Sequence, residues 1–335
     1  MTNRANEPAY VRLDQNILPF LNEVAIRRAL SRATPHDLAD YPEPGTPRLI
    51  DAIARQLGLT VDRVLVGNGS DELLDLAMRA LVPSGGSVGV LAPSFGMYDH
   101  FARACGISLK RAPARDEFPA DALAAFDVDA YFVASPNNPT GAAFPRATVE
   151  SFLGRVSVPV LLDEAYAEFA HQDFRALAIR HGHVIVTRTF SKAHGLPGIR
   201  VGYALGSKDL IARMASIRMP YNVSAWSERA ALTALEDGGF VDRAVAFVEA
   251  QRPKLAEALT AQGWPVWPSR ANFVLLGPLR RAVEIREALT SRGVLVKPID
   301  YPGGDAGGCL RITVGTDAQH ARLLVALKEV AGWRA

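Results

Sequence analysis

Cysteine is almost missing from this chain: Cys105 and Cys309 are the only two in 335 residues. Two thiols build neither a disulfide framework nor a cysteine zinc site, and their scarcity fits a reducing compartment. Long apolar runs are missing too. No stretch approaches the roughly 18 uncharged apolar residues of a membrane-spanning helix. Met1 to Gln15 holds no apolar core of a secretory signal. Nor is there an excess of charge: 37 Lys and Arg against 35 Asp and Glu leave +2, with no basic block. That balance argues against nucleic acid or a membrane surface as partner. The expectation is a soluble cytoplasmic protein. Lysine is scarce as well. Lys110, Lys192, Lys208, Lys254, Lys297 and Lys328 are the whole set, and arginine supplies the remaining cations.

What is present is globular: 49% hydrophobic and 21% charged residues, in a length that suits about two domains. The patterning alternates. Helical spacing at Leu49, Ile50, Ile53, Ala54 and Leu57 is followed by an apolar run at Arg63 to Val66, and then by a helix over 71–81. Further strand-like runs are expected at 87–91, 130–134, 160–162 and 183–187, with helices such as 148–153 between them. β-Branched runs separated by helices imply an α/β fold whose mostly parallel sheet is covered on both faces. Beyond Tyr221 the texture changes. Long helices at 227–235 and 240–259 precede short strands at 272–276, 294–296 and 310–314, with helices at 283–290 and 318–330. The expected division is a segment 1–45 without strong periodicity that wraps onto the small domain or a partner subunit, a large domain 46–235, and a smaller α+β domain 236–335.

Four segments carry chemistry. Thr189-Phe190-Ser191-Lys192, with Arg200 eight residues on, follows a strand and is rich in turn formers. A lysine amine can attack an aldehyde while hydroxyls and a guanidinium bind a phosphate; the same segment also reads as a plain surface loop. Asp163, in Leu162-Asp163-Glu164-Ala165-Tyr166, stands at the C-terminal end of a buried strand, where open α/β sheets place ligands. It would pair with a protonated pyridine nitrogen or cap a following helix. Ser135-Pro136-Asn137-Asn138-Pro139-Thr140-Gly141 is a turn by composition, and an Asn amide held there can donate to a ring oxygen. Gly67-Asn68-Gly69-Ser70-Asp71-Glu72 lies between strand and helix, where free N–H groups meet an anion. It is neither a P-loop nor a dinucleotide fingerprint.

The order of these segments, with Pro93-Ser94-Phe95-Gly96-Met97-Tyr98 and Leu310-Arg311-Ile312-Thr313, resembles the class I/II, fold-type-I pyridoxal-phosphate aminotransferases from about Leu13 onward. Within them the chain is most similar to the histidinol-phosphate aminotransferases, on Tyr41-Pro42-Glu43-Pro44, 67–72, 135–141, 163–166 and 308–315. The resemblance implies a three-layer fold, pyridoxal 5'-phosphate as cofactor, no metal, and transfer of an amino group from a donor to a 2-oxo acid. Histidinol phosphate and 2-oxoglutarate, a step of histidine biosynthesis, are the implied pair. Lys192 would hold the cofactor covalently and move the proton. Asp163 would pair with the pyridine nitrogen, Asn138 and Tyr166 would bond the ring oxygen, and Phe95 would stack on the ring. Ser70, Asp71, Thr189, Ser191 and Arg200 would hold the phosphate. Tyr41 would reach the phosphate in the neighbouring subunit of a homodimer. Arg311 would clamp a carboxylate, with Asn272 in support, and Asn16 and Lys297 complete the substrate set.

The chain also departs from its relatives. Ile17 replaces a glutamate of the early Leu-x-x-Asn-Glu element, and Lys297 replaces an arginine that reads the substrate phosphate. His194 and Pro197 stand where Phe and Ala are commoner, and Pro197-Gly198-Ile199-Arg200 is similar to threonine-phosphate decarboxylases. A pyridoxal-phosphate lyase, or an aminotransferase for another aromatic or phosphorylated amino acid, is therefore the alternative. A non-catalytic regulatory module would need an appended DNA-binding domain, for which the segment before Asn16 is expected to have no room.

Overall fold

The computed structural model describes residues 10–300 and 308–333. Its strands are β1 (Val11–Leu13), β2 (Val64–Gly67), β3 (Ser87–Ala92), β4 (Ser108–Pro113), β5 (Ala130–Ala134), β6 (Val160–Asp163), β7 (Val184–Thr189), β8 (Gly202–Leu205), β9 (Val266–Trp267), β10 (Phe273–Leu279), β11 (Val294–Ile299) and β12 (Gly308–Thr313). Seven of them form one sheet in the order β2-β8-β7-β6-β5-β3-β4. Within it β8 alone runs against its neighbours, while β7, β6, β5, β3 and β4 pair in parallel. Every residue of β2, β5, β6, β7 and β8 is buried. That is why these strands read as apolar runs rather than alternations.

Alternate residues still serve different faces. Ala130 and Phe132 pack with Leu73, Ala77 and Met78 of the helix Gly69–Leu81 and with Met214 of the helix Lys208–Ser216. Tyr131 and Val133 pack the other way, against Phe152 of the helix Arg146–Leu153 and with Leu177, Leu49 and Ala231. The architecture is thus three layers, helix–sheet–helix, with the expected parallel core. Two strands of the large sheet gave no signal. Edge strand β4 carries Lys110 and Arg111 on an exposed side, a charged edge that discourages further pairing. β8 is a four-residue strand that begins with Gly202.

The second sheet has the order β1-β11-β12-β10-β9. It packs on the helices Ala282–Ser291, Asp317–Glu329 and Gly238–Ala261 through Ile285, Leu289, Leu323, Leu327, Leu255 and Leu259. The described part of the segment 1–45 carries secondary structure that its weak periodicity does not show. Val11–Leu13 pairs in parallel with β11 through Val11↔Val294 and Leu13↔Val296, and Glu23–Ser31 is a helix capped by the Asn22 side chain. A three-residue strand is too short for periodicity to reveal, and it forms because Val11 and Leu13 join the core of the small sheet.

The topology gathers the strand ends at one place. β2, β3, β5, β6 and β7 all end at the same edge of the large sheet, and β8 begins there. The chain places β4 on one side of β3 and β5 on the other. A reversal of strand order of this kind opens a crevice at the carboxyl ends.

Candidate active site

Each segment singled out by chemistry leaves a strand at that edge. Gly67 ends β2 and leads into the N-terminus of the helix Gly69–Leu81; the side chain of Asn68 donates to the Asn222 carbonyl (2.8 Å) instead of capping that helix. The N–H groups of its first turn are therefore left for a ligand. Ala92 ends β3 ahead of Phe95, Ala134 ends β5 ahead of Asn138, Asp163 ends β6, and Thr189 ends β7 ahead of Ser191 and Lys192. Together with Asn16, Lys297 and Arg311 from the other sheet, these segments line a cavity of about 360 Å³, a size suited to a small ligand. A wider chamber of about 660 Å³ adjoins it and shares Phe95, Asn138, Lys297 and Arg311.

One end of the cavity is built for an anion. Ser70, Asp71, Thr189, Ser191 and Arg200 meet there. Arg200 Nη1 donates to Ser191 Oγ (3.3 Å) and Nη2 to Asp71 Oδ2 (3.2 Å), and the Ser191 N–H donates to Thr189 Oγ1 (3.1 Å). Two glycines keep the cup open. A Cβ on Gly69, whose φ is +77°, would lie 2.6 Å from Arg200 Nη2, and one on Gly202 would lie 2.6 Å from the Ser70 nitrogen. A cradle that any side chain would fill, lined by a helix N-terminus, two hydroxyls and a guanidinium, fits a phosphate.

The floor is acidic and dry. Asp163 is 5% exposed. Its Oδ2 accepts from Tyr98 Oη (3.1 Å), and its Oδ1 accepts from the Ala165 N–H (3.2 Å) and Thr187 Oγ1 (3.4 Å). Burial pushes this carboxyl up to about 6, against the pull of those hydrogen bonds. A buried carboxylate of this kind is matched to a cationic partner such as a protonated ring nitrogen. Beneath it Arg188, also buried, donates through Nε to Glu164 Oε2 (2.9 Å) and through Nη1 to Glu168 Oε1 (2.9 Å). That ion group ties β7 to the turn after β6, so the residues beside Asp163 and Thr189 are fixed from below.

The opposite wall carries Arg311, which is 9% exposed. Its Nη1 donates to Asn138 Oδ1 (2.7 Å) and its Nη2 to the Asp14 carbonyl (2.9 Å), while Nε is buried without a partner. β11 and β12 pair with Lys297 opposite Arg311, which puts both cations on the cavity. Lys192 Nζ donates to the Gln15 carbonyl (3.3 Å) and lies 5.5 Å from the centre of the Tyr166 ring.

Of the expected site residues, Ser70, Asp71, Phe95, Asn138, Asp163, Tyr166, Thr189, Ser191, Lys192, Arg200, Arg311, Asn16 and Lys297 all line this cavity. Two do not. Asn272 is buried behind it and donates to the Asn16 carbonyl (3.0 Å), so it supports a lining residue rather than a ligand. Tyr41 lies outside, 83% exposed and stacked on Tyr221 at 4.9 Å. Sequence reasoning gave no role to Tyr98, although it falls one turn beyond Phe95, nor to the backbone carbonyls of Asp14 and Gln15, which carry no side-chain signal. Among the described residues no cluster of three or more His, Cys, Asp or Glu is placed to hold a metal ion, and no helix is long and apolar enough to cross a membrane.

Comparison with known proteins agrees with this geometry. Residues 8–327 match the family model for aminotransferase class I and II. The chain is 39% identical to the histidinol-phosphate aminotransferase of Roseiflexus castenholzii, over 96% of this chain and 90% of that one. It is 35% identical to that of Methylobacillus flagellatus, over 88% and 82%. The crystal structure of histidinol-phosphate aminotransferase from Sinorhizobium meliloti in complex with pyridoxal-5'-phosphate superposes with a TM-score of 0.89 at 28% identity, over 97% of this chain and 91% of that one. The chain belongs to the class I and II aminotransferases, and it is a transaminase that uses pyridoxal phosphate.

Proposed function

We propose that the chain transfers the amino group of histidinol phosphate to 2-oxoglutarate, and that the cavity residues divide the work as follows. Ser70, Asp71, Thr189, Ser191 and Arg200 hold the cofactor phosphate. Phe95 covers the ring, Asn138 and Tyr166 bond its oxygen, and Asp163 keeps its nitrogen protonated. When bound, the cofactor supplies an electron sink for the carbon that carries the amino group.

The protein's part is to bind, orient and move protons. Lys192 is the nucleophile that tethers the cofactor. With its amine free, Lys192 would take the proton from the substrate carbon that carries the amino group and return it within the site, with the Gln15 carbonyl as a resting partner for Nζ. Arg311 grips the anionic end of each substrate, and its contacts with Asn138 and the Asp14 carbonyl fix the guanidinium plane. The enclosing turns of 14–16, Phe95 and Tyr166 limit water at the reacting carbon.

The observation that carries the choice of substrate is the pairing of Lys297 opposite Arg311. Histidinol phosphate bears a phosphate where an amino acid bears its carboxylate. A phosphate dianion calls for two cations, whereas a carboxylate is met by one arginine fork. The adjoining chamber leaves room for an imidazole side chain. The proposal includes a homodimer in which Tyr41 reaches the partner's phosphate cup. Its exposure, with Tyr221 stacked on it and Met219 70% exposed nearby in sequence, supports that placement.

The test is a panel of amino donors with 2-oxoglutarate: histidinol phosphate, phenylalanine and threonine phosphate. Glutamate formed from histidinol phosphate at a kcat/KM well above the others is expected. Equal or better use of phenylalanine, or carbon dioxide release from threonine phosphate without glutamate, would overturn the assignment.

A further inference from the structure

Asn16 lines the cavity, yet its bonds lead away from any ligand. The residue sits just beyond β1, is 1% exposed, and holds φ at +55°, in the left-handed region that Asn tolerates better than most residues. Its N–H donates to Thr313 Oγ1 (2.9 Å), and its carbonyl accepts from Asn272 Nδ2 (3.0 Å). Thr313 ends β12 and Asn272 precedes β10, so the small sheet pins this backbone on both sides.

The same contacts decide which way the amide faces. Thr313 Oγ1 accepts the Asn16 N–H and donates its own proton to Asn16 Oδ1, 3.3 Å away. With Oδ1 turned toward Thr313, Nδ2 must point the other way, and it donates to Tyr166 Oη at 2.9 Å. The Tyr166 oxygen is then an acceptor from Asn16. A phenol has a single proton, and here that proton is left to point elsewhere. Phe273 packs edge-on to the Tyr166 ring at 5.2 Å and limits its rotation. The ring is 5% exposed and lines the cavity.

We propose that Asn16 is a positioning residue: by donating to Tyr166 Oη it commits the Tyr166 proton to the ring oxygen of the cofactor. This rests on the role given above to Tyr166. It replaces the expected substrate contact of Asn16 with a link from the small sheet, through Thr313 and Asn272, to a group on the large sheet. An acceptor in place of the Asn16 amide would draw the phenol proton back and leave the cofactor oxygen without its donor.

Asn16→Asp makes that exchange. It keeps the size, the tolerance of positive φ and the bond from Thr313, but presents an acceptor to Tyr166. Asn16→Gly keeps the backbone conformation and removes the amide. The first measurement uses the cofactor-free full chain with 13Cζ-labelled tyrosine, in which the Tyr166 resonance is the one lost in Tyr166→Phe. A shift of that resonance in both Asn16 variants is expected; an unmoved resonance overturns the contact.

The second measurement is affinity for pyridoxal phosphate by fluorescence titration. Asn16→Asp and Tyr166→Phe should each bind about tenfold more weakly, the size of one net hydrogen bond. The double variant should be no weaker than Tyr166→Phe alone. Wild-type affinity in Asn16→Asp beside a weakened Tyr166→Phe overturns the proposal alone, as do losses that multiply in the double variant. Wild-type affinity in Tyr166→Phe overturns the role of Tyr166 and the proposal with it. Where Asn16→Asp folds poorly, Asn16→Gly carries the same cycle, with a loss of about threefold as the expected result and none as the result that refutes.

Discussion

Asp163→Asn separates what the active site needs from what the fold needs. In the protein without cofactor, burial raises the Asp163 carboxyl from 3.8 to about 6. A folded-state value above the unfolded one means that the group's contribution to stability is fully present below about pH 4 and is lost as pH rises through about 6. At about 1.4 kcal/mol per pH unit, the difference of roughly two units amounts to about 3 kcal/mol by pH 7. Asparagine is nearly isosteric and neutral. Its oxygen can take the place of Oδ1 and accept from the Ala165 N–H and Thr187 Oγ1, while its amide takes the place of Oδ2 and faces Tyr98 Oη. The cofactor-free variant should therefore be more stable than wild type at pH 7.5, by about 1–3 kcal/mol once imperfect hydrogen bonding is allowed for, and the advantage should shrink as pH falls toward 4. With cofactor present the order should reverse, because removing one partner of a buried ion pair costs about 3–5 kcal/mol, or at least a hundredfold in cofactor retention or transamination rate. Urea unfolding from pH 4.5 to 8, run with and without pyridoxal phosphate, measures both. A cofactor-free variant no more stable than wild type at pH 7.5, or a difference flat across that range, would show that burial does not destabilise the Asp163 carboxylate.

Lys192→Ala should abolish transamination and the visible absorbance of covalently held cofactor; a variant that keeps both removes Lys192 from the mechanism. Arg311→Lys keeps the charge but loses the fork held by Asn138 and the Asp14 carbonyl, so kcat/KM for glutamate should fall about a hundredfold, as expected for a charge-assisted bidentate contact, and steady-state kinetics decide it. Gly202→Ala should empty the phosphate cup. The added carbon would meet the Ser70 nitrogen at 2.6 Å and the Arg188 carbonyl at 2.9 Å, backbone atoms that cannot step aside, so both cofactor affinity and Tm should drop, with about 1–3 kcal/mol lost from the fold.

The cofactor pocket was legible because its chemistry is local. A carboxylate at the end of a buried strand, a hydroxyl-flanked lysine after the next strand, and a glycine pair opening a helix each declare a role within five or six residues, and the parallel topology then gathers them at one edge. What stayed hidden depends on distance in the chain. Tyr98 finds Asp163 only because β3 and β6 flank β5. The carbonyls of Asp14 and Gln15 reach Arg311 and Lys192 through backbone atoms, which any residue type provides. The family resemblance assigns both Asn16 and Asn272 to the substrate. The structure instead ties both into the turn beyond β1, where Thr313 accepts the Asn16 N–H and Asn272 donates to the Asn16 carbonyl, partners more than 250 residues away in the chain. Strand β4 escaped notice for another reason: its exposed edge selects Lys110 and Arg111 over the apolar residues that advertise a strand.

The scarcity of lysine has a chemical reading at the two places where lysine lines the cavity. Arginine cannot serve at position 192, since a guanidinium does not give up its proton and an amine must do so to attack an aldehyde. At position 297 the reason is shape. Arg311 already presents a planar fork locked between Asn138 and the Asp14 carbonyl, and a second fork on the neighbouring strand would need its own acceptors and would favour one ligand geometry. Lysine contributes a compact charge on a flexible stem. On the proposed reaction, a phosphate and then a carboxylate must occupy the same end of the cavity in alternate half-reactions. One rigid cation beside one adaptable cation meets both, because Arg311 sets the orientation common to the two anions and Lys297 moves in for the extra charge of the phosphate. The arrangement predicts an asymmetry: Lys297→Ala should raise KM for histidinol phosphate by about tenfold or more while leaving KM for glutamate within about twofold, the former being the loss of one charge-assisted contact. Parallel KM increases for both substrates would show instead that Lys297 serves the carboxylate as well, and that the phosphate is read elsewhere.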